Sequence, residues 1–346
     1  MELHSNLSAI PVDSKSGQAA GPIRQIPNTK ELHEYDSDLS STKDGERLVF
    51  LRTKSHDEVY LGTLDSTGKS FTKVSDDFIA EESNNRASGW TSDSKSVLFT
   101  SDRIAGTENI FVQPAIGGSP AALVPGSADR QLDGTSLSDG TSYLYWSWPK
   151  DKGDYPKKTT IKLLPAGGVP VSLLDGQPFK SQFRCAMATQ TCLISDESKD
   201  SLVFSLLDIQ ARTKRFLAPL KLPVEDGYDW DLSPDGNSVA AVHTDLSDNV
   251  LRILTLNDKV THDIPVLGWS EFEHIAWAPN GSGLYIAANL PKKAALLHID
   301  LKGNVDVMWQ SESKSIGLAV PSPDGKHIAF TVEPPGESNA WVIEHF

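Results

Sequence analysis

The composition of this chain indicates a globular protein rich in tight turns. It has 346 residues, of which 38% are hydrophobic and 23% charged, with 25 Gly and 21 Pro. The net charge of -14 and the lack of any Lys/Arg cluster exclude nucleic acid as a partner, because that affinity comes largely from basic side chains. No apolar run approaches the roughly 20 residues of a membrane span, and residues 1–4 lack the features of a signal peptide.

Two strand-like segments open the chain. Residues 7–12 (LSAIPV) and residues 22–26 (PIRQI) both have the apolar and β-branched character of short strands. Neither belongs to a complete repeat of its own. Their interpretation therefore depends on the repeat that follows.

A turn motif then recurs with a near-constant period. It is plainest as Pro-Asp-Gly at 234–236 and 323–325, and as Pro-Asn-Gly at 279–281. With the Asp, Asn or Thr of each copy as origin, the seven copies lie at 44, 93, 139, 189, 235, 280 and 324, so successive origins are 49, 46, 50, 46, 45 and 44 residues apart. Pro fixes φ, Asp bonds its local backbone and Gly supplies positive φ, which reverses the chain between two strands. The period predicts seven copies of one unit.

Each turn is followed by two segments of strand length and composition. These pairs are 47–53 with 58–64, 96–102 with 109–115, 142–148 with 160–166, 191–197 with 202–208, 238–244 with 250–256, 283–289 with 295–301, and 327–333 with 340–346. Six units have a further strand, at 71–75, 120–124, 170–174, 215–219, 260–264 and 305–309. With the segment before each turn as the innermost strand, every unit becomes a four-stranded antiparallel blade.

The sequence thus predicts an all-β, seven-bladed β-propeller. The last unit lacks its outer strand because the chain ends at Phe346, and residues 22–26 are expected to complete that blade and close the ring. The propeller would then span residues 22–346 as a single domain. Residues 1–21 are expected to be an N-terminal extension, interpreted as the remnant of a preceding blade in a longer protein.

The repeat resembles that of TolB-like periplasmic propellers. The resemblance rests on the Pro-Asp-Gly turns followed by strands such as His327-Ile328-Ala329-Phe330, and it covers residues 22–346. The C-terminal sequence from Pro321 to Thr331, with residues 339–342, is similar to the C-terminal sensor regions of bacterial membrane-spanning Ser/Thr kinases and winged-helix regulators. These resemblances imply a sensor or interaction module outside the cytoplasm. TolB itself has an additional α/β domain and commonly six blades, which does not match the seven repeats.

No local motif for catalysis is present. A Gly-x-Ser-x-Gly elbow, a phosphate-binding loop, a His-Glu-x-x-His pair and an EF-hand loop are all missing. A metal-dependent lyase or lactonase stays open, since such propellers gather single ligands from several inner strands and leave no local motif. Carboxylates from several blades could hold Ca²⁺, and a histidine could add a further ligand.

The candidate ligand-binding residues lie where the inner strands begin, at the predicted mouth of the channel. They are Glu34, Asp36, Arg86, Asp133, Arg184, Tyr228, Asp229, Glu273 and His274. A channel mouth is wet and polar whatever its function, so a simple solvated lining is the competing interpretation of the same residues.

Two further features belong to the third and fourth repeats. Cys185 and Cys192 flank the most degenerate turn, where either a disulfide or two buried thiols would fit; the family resemblance favours the disulfide and thus an oxidising compartment. Residues 148–158 combine aromatic and basic side chains in an acidic protein, which would suit an acidic or aromatic partner. A solvated hairpin tip is the alternative. The tryptophans near inner strands are expected to pack in the core, although Trp146 and Trp148 beside this loop could be exposed.

These observations predict a non-enzymatic propeller. It would bind a protein, peptide or small-molecule ligand at one face or at the channel mouth, as the extracytoplasmic sensor part of a larger bacterial protein. The metal-dependent propeller enzyme is the alternative.

Overall fold

The structure is a computed structural model that describes residues 8–13, 15–26, 36–44, 46–80, 83–150, 156–177, 180–198, 200–221, 227–244 and 249–344. No α-helix occurs in those ranges. The chain divides into two compact units, one of residues 1–55 with 335–346 and one of residues 56–334.

The second unit consists of six antiparallel sheets of four strands each, here called blades I to VI and given from the innermost strand outward. Blade I is β27 (Ser315–Pro321), β28 (His327–Glu333), β5 (Glu58–Leu64) and β6 (Phe71–Ile79). Blade II is β7 (Asn85–Trp90), β8 (Ser96–Ile104), β9 (Thr107–Pro114) and β10 (Ala121–Ala122). Blade III is β11 (Asp129–Ser136), β12 (Tyr143–Pro149), β13 (Thr159–Leu164) and β14 (Val171–Gly176).

Blades IV to VI repeat the same order. Blade IV is β15 (Ser181–Cys185), β16 (Cys192–Ser198), β17 (Ser201–Asp208) and β18 (Thr213–Lys221). Blade V is β19 (Tyr228–Leu232), β20 (Ser238–His243), β21 (Val250–Thr255) and β22 (Thr261–Pro265). Blade VI is β23 (Phe272–Trp277), β24 (Gly283–Leu290), β25 (Lys293–Asp300) and β26 (Val305–Ser311).

Six apolar clusters join the blades of this unit, each one shared by two neighbours. Phe204 of blade IV packs edge-on against Trp230 of blade V, for example, and both side chains are fully buried. Corresponding clusters lie between blades V and VI, VI and I, I and II, II and III, and III and IV. Burial of these faces is the main favourable term in folding, and the succession of clusters closes the ring.

The turns between the first two strands of blades I, II and V share a hydrogen-bond pattern. In blade V the Ser233 hydroxyl donates to Asp235 (2.6 Å) and accepts the Ser238 N–H (2.9 Å). The same pattern recurs at Thr91 with Asp93 and at Ser322 with Asp324. A Ser or Thr two residues before the origin thus braces the turn on both sides.

The first unit contains the remaining strands. β1 (Ser8–Ala9) pairs with β2 (Arg24–Gln25), and β4 (Arg47–Lys54) lies between β29 (Glu337–Glu344) and β3 (Asp36–Ser41) in a three-stranded sheet. All of these pairs are antiparallel.

The predicted all-β propeller of four-stranded antiparallel blades is confirmed. The count of seven stays a prediction: the described residues form six such blades and the further three-stranded sheet of β29, β4 and β3, which is consistent with it. The predicted closure by residues 22–26 is wrong: that segment pairs with β1, and β5 and β6 instead complete the blade begun by β27 and β28. The predicted strand at 340–346 exists as β29, but its partner is β4.

Candidate functional site

A cavity of about 320 Å³ lies at the centre of the six-bladed unit. All six inner strands contribute to its wall, and the turns that follow the inner strands of blades I, IV, V and VI form one end. The polar lining consists of Ser88, Asp133, Thr135, Arg184, Asp231 and His274. Because blades II to VI each supply only one or two of these side chains and blade I supplies none, the site exists only when the ring is assembled.

The turn end of the cavity is apolar. It is bordered by Pro234, Pro279 and Pro323 of the repeated turns, and by two tryptophans from inner strands. Trp90 donates its indole N–H to the Val320 carbonyl of the neighbouring blade (2.9 Å), and Trp277 donates to the Asp231 carbonyl (3.2 Å). These bonds fix both rings while leaving their carbon surface at the cavity.

A buried charge network lies beside the cavity, centred on Asp229. Its Oδ1 accepts from Arg184 (3.1 Å), and its Oδ2 accepts the Ile275 N–H (2.9 Å) and lies 2.7 Å from His274 Nδ1. Burial alone would raise the pKa of Asp229, but the adjacent His274 and Arg184 and the Ile275 N–H outweigh it and lower that pKa. The network therefore holds Asp229 as a carboxylate.

Asp133 projects into the channel from an irregular stretch of backbone. It has φ 55°, in the left-handed region, and the register of β11 with β12 shifts between Leu132 and Thr135, as in a β-bulge. Its side chain is accessible to water in the channel but enclosed by the ring, and this desolvation raises its pKa, helped by Asp229 and opposed by Arg184 and Arg86. No hydrogen bond or ion pair to Asp133 occurs within the described residues.

Asp231 is a second carboxyl of the lining. It accepts the N–H groups of Trp277 (2.7 Å) and Leu232 (2.8 Å). Burial nevertheless raises its pKa to about 6, because no cation is paired with it directly, although Arg184 acts on it from a distance. Asp231 is thus mostly ionised at neutral pH, although burial makes its charged form less stable than it would be in water.

Two buried polar groups of the lining lack hydrogen-bond partners. They are Ser88 Oγ and His274 Nε2, and the His274 Nδ1 contact with Asp229 is close but not aligned as a hydrogen bond. His274 is only 4% exposed. Buried polar atoms without partners are rare in proteins, so these two mark places where a ligand or water would complete the site.

The structure brings four of the nine predicted residues together: Asp133, Arg184, Asp229 and His274. Arg86 forms an ion pair with Asp57 (2.6 Å) and acts on Asp133 only at a distance. Tyr228 packs edge-on against His243 and Glu273 is exposed; neither lines the cavity. Asp36 begins β3 in the first unit, and its side chain, like the whole of Glu34, lies outside what the structure describes.

Sequence reasoning missed Asp231 and Ser88. Both lie two residues along their inner strands from a predicted position, Asp229 and Arg86 respectively. Since alternate residues of a strand share a face, extending each predicted position by two residues would have found both.

The structure joins Cys185 and Cys192 in a disulfide with a Cα separation of 4.0 Å. They form a directly opposed pair of β15 and β16, and Cys185 borders the cavity. The expectation that Trp146 and Trp148 could be exposed is wrong, because both are at least 95% buried in blade III. Of the loop that follows, residues 151–155 lie outside the described residues.

The parts of the chain that the structure describes contain neither a group of metal ligands nor a membrane-spanning helix. No group of three or more His, Cys, Asp or Glu side chains there is placed to hold a metal ion. No helix long and apolar enough to cross a membrane was found in the same ranges.

Similar solved structures show that this chain has a TolB-like β-propeller fold. A TolB candidate from Agrobacterium tumefaciens superposes with a TM-score of 0.63 at 17% identity, over 81% of this chain and 99% of that one. TolB from Acinetobacter baumannii superposes with a TM-score of 0.55 at 13% identity, over 82% of this chain and 66% of that one. A chain of a nidogen/laminin complex superposes with a TM-score of 0.53 at 11% identity, over 79% of this chain and 96% of that one. No protein-family model matches the chain, and no curated protein matches its sequence.

Proposed function

We propose that this protein is a non-enzymatic binding propeller whose ligand site is the central cavity. The observation that carries this proposal is the cavity itself: six inner strands enclose about 320 Å³ with one apolar end and a few convergent charged groups. Ligand sites in proteins have this composition, with apolar walls for affinity and sparse polar groups for orientation. The ligand is a small molecule or a peptide segment that enters from the turn end.

We also propose an extracytoplasmic location and a sensor role. The disulfide between Cys185 and Cys192 supports this location, since such bonds persist in oxidising compartments. Its test is alkylation in intact cells followed by mass spectrometry. A chain without added alkyl groups is expected, whereas two groups per chain would contradict the location.

The binding function is tested with a chemically mixed fragment library of cations, anions and neutral compounds, followed by ligand-observed NMR. The variant Ala188→Trp places a large side chain at the exposed turn end of the cavity without disturbing the core. Ala211→Trp is the matched control, because Ala211 is exposed at a hairpin of the same blade and does not line the cavity. Binding lost in Ala188→Trp and kept in Ala211→Trp would support the proposal. Signals equal in both variants would contradict it.

The metal-dependent enzyme is the competing outcome of a second measurement. Metal analysis of the purified protein, and of variants at Asp229 and His274, separates the two functions. The binding propeller is expected to contain no stoichiometric metal. Stoichiometric Ca²⁺ or Mn²⁺ that disappears in either variant would replace it with the enzyme.

A further inference from the structure

The charges around the cavity do not cancel. Arg184 is occupied by Asp229, which lies 3.1 Å away, and Arg184 also covers the Trp230 ring at 5.7 Å. Arg86 is occupied by Asp57 outside the lining. Once these pairs are formed, the two remaining carboxylates of the lining, Asp133 and Asp231, have no cation paired with either of them in the described residues.

The backbone holds Asp133 in a conformation that an ordinary strand residue would avoid. A left-handed φ at a residue other than Gly costs free energy, and the β-bulge at this point removes regular pairing. The result is a carboxylate presented to the channel without a hydrogen bond from the described residues. Local irregularity that exposes a charged group inside a cavity is typical of a ligand contact.

The remaining lining suits an apolar body attached to the charged group. Trp90 and Trp277 both border the cavity. Their indole N–H groups already donate hydrogen bonds to backbone carbonyls, so the rings offer the cavity an apolar surface. The face of an aromatic ring also attracts a cation electrostatically, whereas it does not attract an anion. Ser88 Oγ and His274 Nε2 add buried groups that lack partners.

We propose that the cavity is selective for a small amphipathic amine, whose protonated nitrogen lies between Asp133 and Asp231 and whose apolar body lies against Trp90 and Trp277. This inference rests on the proposed binding function and adds the chemical class of the ligand to it. A guanidinium group on a similar body meets the same requirements, because it too is a cationic donor without acceptors.

The test compares three probes with the same aromatic body: phenethylamine, 2-phenylethanol and phenylacetate. Affinities are measured by titration calorimetry at pH 7.5 with the wild-type chain and with Asp133→Asn, Asp231→Asn and Asp77→Asn. Asparagine keeps the shape of aspartate and tolerates positive φ, so Asp133→Asn is expected to fold, which circular dichroism checks. Asp77 is an exposed residue of β6 outside the lining and serves as the control.

The amine is expected to bind the wild-type chain about tenfold or more tightly than the alcohol, as a charge-assisted hydrogen bond predicts. That preference should disappear in Asp133→Asn and Asp231→Asn and persist in Asp77→Asn. Equal binding of the alcohol or the carboxylate by the wild-type chain would overturn the amine selectivity while leaving the binding function intact. Failure of phenethylamine to bind would also overturn it, as would Ca²⁺ alone binding in a manner lost in Asp133→Asn.

Discussion

Asp229 is the residue on which the charged side of the cavity depends. It is 6% exposed and contacts Arg184 of β15 and both His274 and the Ile275 N–H of β23. We expect Asp229→Ala to lower the free energy of unfolding by about 3 to 5 kcal/mol, because it leaves a partly buried guanidinium and a buried backbone donor without partners. Urea denaturation measures this change.

The control for that experiment is Glu312→Ala at an exposed position, for which a change within about 0.5 kcal/mol is expected. A loss of less than about 1 kcal/mol in Asp229→Ala would show that the network contributes little to stability.

The pKa values of the two lining carboxyls predict how amine binding varies with pH. Asp231 has a pKa of about 6, so it loses negative charge as the pH falls from 7 toward 5, and the pKa of Asp133 is shifted in the same direction. Arg184, Arg86, Asp229 and His274 also act on Asp133, but none of them replaces the lost charge. Affinity for phenethylamine should therefore fall with decreasing pH, and binding near pH 6 should release protons.

Calorimetry in buffers with different ionisation enthalpies measures that proton release. The affinity of 2-phenylethanol, which is neutral throughout, should change little over the same range. An amine affinity that is flat between pH 5 and 7 would contradict the role of Asp231.

At the scale of elements, the fourth hairpin is held by a disulfide. Its turn has Ala186 and Thr189 where blade V has Ser233 and Asp235, so it lacks the hydroxyl-to-carboxylate bond of blade V, and the disulfide joins the two strands. We expect the double variant Cys185→Ala, Cys192→Ala to lose about 2 to 3 kcal/mol of unfolding free energy, from the closed-loop entropy of a short loop. Thermal denaturation with and without reductant checks this.

The double variant has no disulfide, so it also serves as the control for other effects of the reductant. Reductant should lower the melting temperature of the wild-type chain and leave that of the double variant unchanged. Equal effects of reductant on both proteins would show that the disulfide does not brace this hairpin.

The pairing of β5 explains why the predicted closure failed. Only three residues separate β4 from β5 and three separate β28 from β29, so each pair has the spacing of a hairpin. In the structure β5 pairs with β28, where Tyr60 is buried in one cluster with Phe330 and Val332, and Val59 is buried in another with Ala329. β29 is exposed, with Trp341 at 49%. β5, the more apolar of the two strands, therefore occupies the buried position beside β28.

At the scale of the whole molecule, the six blades form a self-sufficient unit. Every apolar cluster lies between two blades of residues 56–334, and every blade has its four strands within that range. We expect a chain of residues 56–334 to fold alone with one cooperative transition, because no strand pairing or core of the ring is lost. Size-exclusion chromatography and thermal denaturation measure this.

The matched control is a chain of residues 80–334, which lacks β5 and β6 and leaves blade I with two strands. It should not fold cooperatively, because two of the six clusters lose members. Identical behaviour of the two chains would contradict the closure by β5 and β6.

The repeat, the turns and the strand-by-strand pattern of this protein follow from its sequence alone, because period, turn residues and apolar alternation are local properties. The same reasoning predicted Asp133, Arg184, Asp229 and His274 as candidates, since strand entries can be counted along the chain, and their role in binding stays a prediction. Tertiary structure alone decided which strands close the ring, because two equally short connections compete and only burial separates β5 from β29. It also decided which charges remain without a partner, since that depends on side chains from different blades meeting in one cavity.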